Sequence, residues 1–139
     1  MARILTTHSE SETEAAGRAL STTLEGGAVV LLSGDLGAGK TAFVRGLAEG
    51  LGIDPGEVSS PTFTVIQEYR GGRLALYHVD LYRLRPSEVD DVGLDDITLA
   101  GGVTAIEWPD RLPRPFADAI SVEILHGDDS MRTIRIVEG

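Results

Sequence analysis

A chain of 139 residues, 42% of them hydrophobic and none of them cysteine, is expected to form one domain over 1–139, with neither disulfides nor thiolate metal sites. Its 22 acidic and 12 basic side chains give a formal net charge of −10, which argues against strong independent binding of nucleic acid, an affinity that rests on a basic face neutralising phosphates. No apolar run reaches the length of a membrane span and the N-terminus lacks the basic and apolar regions of a signal peptide, so no membrane association and a cytoplasmic location are expected.

From the N-terminus, Ser11-Glu12-Thr13-Glu14 has the S-x-x-E form of a capping box. It precedes Ala15, Ala16, Ala19, Leu20 and Leu24 at helical spacing, which predicts a helix over 11–24 ended by Gly26-Gly27. Ala28-Val29-Val30-Leu31-Leu32 is an unbroken apolar run and predicts a strand buried on both faces, as in the centre of a parallel sheet. Gly34-Asp35-Leu36-Gly37-Ala38-Gly39-Lys40-Thr41 then fits the phosphate-loop pattern G-x-x-x-x-G-K-[ST] at every defined position. The loop leads into a predicted helix over 41–52, with Val44, Leu47, Ala48 and Leu51 on one face and Gly52 as C-cap.

Residues 59–69 read as a loop feeding a strand, Gly71-Gly72 as a two-residue hairpin turn, and 73–80 as the returning strand. The acidic cluster Glu88, Asp90, Asp91, Asp95 and Asp96 is interrupted by apolar residues and predicts a solvated helix face and loop. A short apolar strand over 103–106 follows Gly101-Gly102 and ends at Glu107, and the period-two segments 120–124 and 133–137 predict a closing hairpin. The sequence thus predicts an α/β fold, a P-loop NTPase-like three-layer sandwich with a mixed, mostly parallel central sheet and a C-terminal β-hairpin.

Lys40 is the one lysine among the 12 basic residues. An ammonium is a compact point charge that fits between β- and γ-phosphate oxygens, where the wider fork of a guanidinium does not. Backbone N–H groups of 37–41 can point at the phosphates from the helix N-terminus, with Gly34, Gly37 and Gly39 permitting the close approach and Asp35, Ala38 and Ala42 completing the loop. The Thr41 hydroxyl is a candidate Mg²⁺ ligand, and a strand-end carboxylate is needed beside it. Asp80 and Glu107 both have that position; either can hold the metal while the other positions the attacking water. Thr62, on the loop after the helix, is a candidate γ-phosphate sensor. Trp108 is a candidate wall of the pocket, and Arg132 at the tip of the closing hairpin a candidate contact to base or phosphates. His78 reads as a hydrogen-bonded sheet histidine in preference to a general base, and the histidines form no zinc constellation. The chain has no asparagine and no second lysine, so the guanine-reading Asn-Lys-x-Asp motif is absent and ATP is the expected nucleotide.

Gly-Asp-Leu-Gly-Ala-Gly-Lys-Thr at 34–41, Ser-Pro-Thr-Phe at 60–63, His-Val-Asp-Leu-Tyr-Arg at 78–83 and Glu-Trp-Pro at 107–109 occur in the order and approximate spacing of the bacterial TsaE (YjeE) family, which this chain resembles over nearly its whole length. The resemblance implies a small P-loop ATPase that binds ATP and Mg²⁺. Such a protein works with TsaD and TsaB in forming threonylcarbamoyladenosine next to the tRNA anticodon, hydrolysing ATP slowly to support their turnover and meeting tRNA only through that complex. It also implies that Lys40 holds the phosphates, that Thr41 and Glu107 coordinate Mg²⁺, that Asp80 acts in hydrolysis or behind the metal, that Thr62 responds to the nucleotide, and that Trp108 sits beside the site. Many family members carry a second threonine where this chain has Ala42, which predicts modestly weaker nucleotide binding. A small-metabolite kinase and a nucleotide-sensing adaptor that needs no hydrolysis are the alternatives.

Overall fold

The apolar run after Gly27 becomes the middle of a seven-stranded sheet. The computed structural model describes residues 2–34, 39–58 and 65–138. Its strands are β1 (Ala2–Thr7), β2 (Val29–Gly34), β3 (Ile66–Tyr69), β4 (Leu76–Asp80), β5 (Val103–Glu107), β6 (Ile120–His126) and β7 (Arg132–Glu138), in the order β1-β7-β6-β2-β5-β4-β3. The central strands β6, β2, β5 and β4 run parallel, while β3 and the β7-β1 pair are antiparallel to their neighbours at the two edges. Continuous apolar character is what burial on both faces requires, and Val30, Leu32, Val103, Ala105 and Ile106 are all fully enclosed.

Helices α1 (Glu10–Ser21) and α2 (Lys40–Gly50) cover one face, packing Leu20, Phe43, Leu47 and Leu51 onto Val30, Leu32 and Ile124. The short helices α3 (Pro86–Val89) and α4 (Leu94–Leu99) cover the other with the chain after β5, enclosing Val79, Leu81 and Ile106. This is the expected three-layer arrangement. Among the described residues no helix is long and apolar enough to cross a membrane.

The first helix begins earlier than the 11–24 reading. Two S-x-x-E strings overlap, and it is Ser9, not Ser11, that caps: its Oγ accepts from the Glu12 backbone N–H at 3.1 Å, while Glu12 Oε1 accepts from the His8 N–H at 3.0 Å. The helix stops at Ser21, and the Arg73 guanidinium donates to the carbonyls of Ser21 (2.6 Å) and Leu24 (3.2 Å). This contact also corrects the hairpin. Tyr69 pairs with Leu76, so residues 70–75 form a longer loop in place of a two-residue turn at Gly71-Gly72. The loop serves tertiary packing: the Arg73 N–H donates to Leu51 O at 2.8 Å while its side chain reaches α1. Strand β1 was not expected from the sequence. It is an edge strand with one buried residue, Thr7, and it lacks the alternation that marks a half-buried strand.

Close contact between α1 and α2 depends on Gly46, where a Cβ would lie 1.9 Å from Glu14 O. Because the obstacle is backbone, the helices must separate to admit a methyl group. Gly46→Ala is expected to lower stability by roughly 2 kcal/mol despite alanine's better helix propensity. A urea titration checks this; an unchanged midpoint would mean that α1 is free to shift.

Candidate functional site

Sheet register assembles the acidic end of the site. Asp80 at the end of β4 stands opposite Glu107 at the end of β5, and Glu107 stands opposite Leu32 on β2. Period two puts His78 on the same face as Asp80, the face covered by α2. The first residue of α2 is Lys40, so the helix N-terminus and the strand ends meet in a cleft of about 670 Å³ lined by Lys40, Thr41, Asp80, Glu107 and Trp108. Gly34 ends β2 with φ +131°, and a Cβ there would lie 1.9 Å from Ile124 O, so the chain can leave the sheet toward Lys40 only through a glycine.

Lys40 is 6% exposed. Its Nζ lies 3.5 Å from Gly34 O, at the limit of a hydrogen bond, and 4.9 Å from the centroid of the Trp108 ring. Among the described residues no carboxylate forms an ion pair with it. A carbonyl at that distance and an aromatic face are weak partners for a buried ammonium, which leaves it available to an anion. Trp108 itself has φ +61°, in the left-handed region unusual for a bulky residue, and its ring meets Tyr82 at a centroid distance of 4.9 Å.

Glu107 is 5% exposed, and its Oε2 lies 2.5 Å from Nε2 of the fully buried His78. Asp80 is held differently, its Oδ1 accepting from the Tyr82 N–H at 2.9 Å. Burial pushes the Asp80 carboxyl above its ordinary value of 3.8 and the neighbouring Glu107 adds to the rise, against the Tyr82 N–H, His78 and Lys40, which favour the carboxylate. A raised value in the folded state means that the native protein binds more protons than the unfolded chain within that window, so stability falls as pH rises through it and stays lower above. Asp80→Asn keeps an oxygen for the Tyr82 N–H without the charge. The variant is expected to melt at or above the wild-type temperature at pH 7, with the difference shrinking as pH falls toward 3.8. Melting curves across that range test it, and a variant less stable at pH 7 would show that attraction to Lys40 outweighs burial.

The remaining expected residues divide. Gly39 (φ +102°) is the N-cap of α2, and Ala42 is buried in its first turn where it borders the cleft. Asp35, Gly37, Ala38 and Thr62 lie outside the described residues. Arg132 borders the cleft from the hairpin, its Nη1 donating to the carbonyls of Asp129 and Met131. The sequence did not point to Ser9 and Thr13 as cleft-lining residues. Ser130 Oγ donates to His8 O at 2.9 Å, which ties the hairpin tip to the start of α1 and brings both elements to the cleft. Nor did the sequence give the link from His78 to Glu107, although the two-residue spacing of His78 and Asp80 puts both on one face.

The oxygen donors fit the implied magnesium ion. A threonine hydroxyl and two carboxylates are hard oxygen donors, the kind such an ion takes beside phosphate oxygens and water.

A family model described as "Threonylcarbamoyl adenosine biosynthesis protein TsaE" matches residues 7–134. A tRNA threonylcarbamoyladenosine biosynthesis protein TsaE from Nostoc sp. is 47% identical over 124 residues, covering 86% of this chain and 76% of that protein. The protein of the same name from Bacillus subtilis is 42% identical over 127 residues, covering 88% and 77%. The crystal structure of B. subtilis YdiB superposes with a TM-score of 0.79 at 34% identity, covering 99% of this chain and 86% of that one. With that match over most of its length and that shared fold, the chain belongs to the TsaE family of tRNA threonylcarbamoyladenosine biosynthesis proteins.

Proposed function

We propose that this chain is a Mg²⁺-dependent ATPase that binds ATP and hydrolyses it slowly in support of TsaD–TsaB turnover, meeting tRNA through that complex. The observation that carries this reading is Lys40, a buried ammonium without an ion-pair partner among the described residues, in a cleft shared with Glu107 and Asp80. Lys40 supplies positive charge to the β- and γ-phosphates. Thr41 and Glu107 would hold the magnesium ion, whose chemistry there is charge neutralisation across the phosphate oxygens. Asp80, next to Glu107 and carrying a raised proton affinity, orients the attacking water. The net charge of −10 agrees with a protein that leaves tRNA contact to its partners.

Reconstituted threonylcarbamoylation of tRNA with TsaD and TsaB, run with and without this chain, tests the reading. Modification is expected to continue through many turnovers only when this chain and hydrolysable ATP are both present. Equal yields without the chain would refute the proposed role.

A further inference from the structure

The reading of the cleft as a Mg²⁺–nucleotide site leaves the buried imidazole beside Glu107 without a task. His78 is fully enclosed on β4; its Nε2 lies 2.5 Å from Glu107 Oε2, and its Nδ1 has no partner among the described residues. Leaving a buried nitrogen unpaired is unfavourable, and an apolar side chain would pack beside Leu76 and Ala105 without that penalty. Its hydrogen bond to Glu107, the one its side chain makes among the described residues, is what favours a histidine there.

An ionised carboxylate only accepts hydrogen bonds, so in a neutral imidazole the hydrogen belongs on Nε2 and the unpaired Nδ1 carries the bare lone pair. Strand pairing fixes the rest. Asp80 is opposite Glu107 and His78 opposite Ala105, which makes His78 and Glu107 diagonal neighbours on one face, both on central strands and both enclosed. Asp80 is instead anchored through the turn that follows it.

We propose that His78 is a positioning residue: its Nε2–H holds one oxygen of Glu107, fixing the plane of the carboxylate and reserving the other oxygen for a divalent cation. Partners of this kind around a metal-binding carboxylate set its orientation and strengthen metal binding. The inference rests on the nucleotide reading above.

The test compares wild type with His78→Leu, which fills the strand position without a donor, and His78→Gln, which keeps an N–H donor. ATP affinity is measured by calorimetry without Mg²⁺, and Mg²⁺ half-saturation is measured at saturating ATP. Both variants are expected to bind ATP without Mg²⁺ within about twofold of wild type, while His78→Leu raises Mg²⁺ half-saturation about tenfold or more and His78→Gln brings it back to within about threefold. A histidine needed only for packing would move both affinities together, with no rescue by glutamine, and that result overturns the proposal. Long-range ¹H–¹⁵N spectra of the wild-type protein require no variant to fold. They should show a hydrogen on Nε2 of His78, and an Nε2 without one overturns the proposal as well. Failure of the nucleotide reading is separately visible, because wild type would then bind no ATP, and the spectra would still decide whether His78 donates to Glu107.

Discussion

Lys40→Ala is expected to weaken ATP binding by at least about a hundredfold while leaving the fold intact. At about 4 Å and an effective dielectric near 20, one unit charge acting on another contributes roughly 4 kcal/mol, which makes a loss of two to three decades the expected scale. The native partners of Nζ, Gly34 O at 3.5 Å and the Trp108 ring at 4.9 Å, contribute little to folding, so removing a buried and poorly paired ammonium should not lower the melting temperature. Lys40→Arg is expected to fail almost as completely, since the planar fork does not fit where a point charge sits. Trp108 is the chain's one tryptophan, so its fluorescence reports directly on this position. ATP should change the emission of wild type as Lys40 turns from the ring to the phosphates, and should leave that of Lys40→Ala unchanged. A Lys40→Ala variant with wild-type ATP affinity would remove the basis of the proposed function.

What was legible in the sequence is whatever depends on neighbours along the chain. The apolar runs that became β2 and β5 each carry their signal within about ten residues, and both strands sit at the centre of the sheet. What was not legible depends on partners distant in sequence. Ser9 and Ser11 both fit a capping box, and the local pattern does not say which begins the helix. Gly71-Gly72 looked like a tight turn because the pattern cannot show that Arg73 is drawn to the end of α1, 52 residues back, to meet Ser21 O. Strand β1 owes its structure to pairing with β7 at the far end of the chain. In the site, Lys40, Asp80, Glu107 and Trp108 came from motif and position. The contact of His78 with Glu107 needed the β4–β5 register, which no local pattern contains.

Glu107→Gln separates binding from hydrolysis. Glutamine has nearly the shape of glutamate, and its amide oxygen can still accept from His78 Nε2–H, so the buried position at the end of β5 stays filled and satisfied. The amide nitrogen is then the group left for the cleft, where it presents hydrogens to a position that calls for an oxygen donor. ATP affinity measured without Mg²⁺ is expected to hold or to rise slightly, because one negative charge near the phosphates has gone. Mg²⁺-dependent hydrolysis is expected to fall by about two to three decades, the usual scale for losing a group that organises charge in a transition state. Phosphate release under single-turnover conditions, with nucleotide binding followed in parallel through Trp108, distinguishes the two effects. Hydrolysis within about threefold of wild type would assign the essential carboxylate to Asp80 and leave Glu107 with His78 as a buried structural pair. If hydrolysis is lost while multiple-turnover tRNA modification continues at the wild-type rate, the protein acts as a nucleotide-sensing adaptor, and occupancy of the cleft, not cleavage of ATP, is what its partners read.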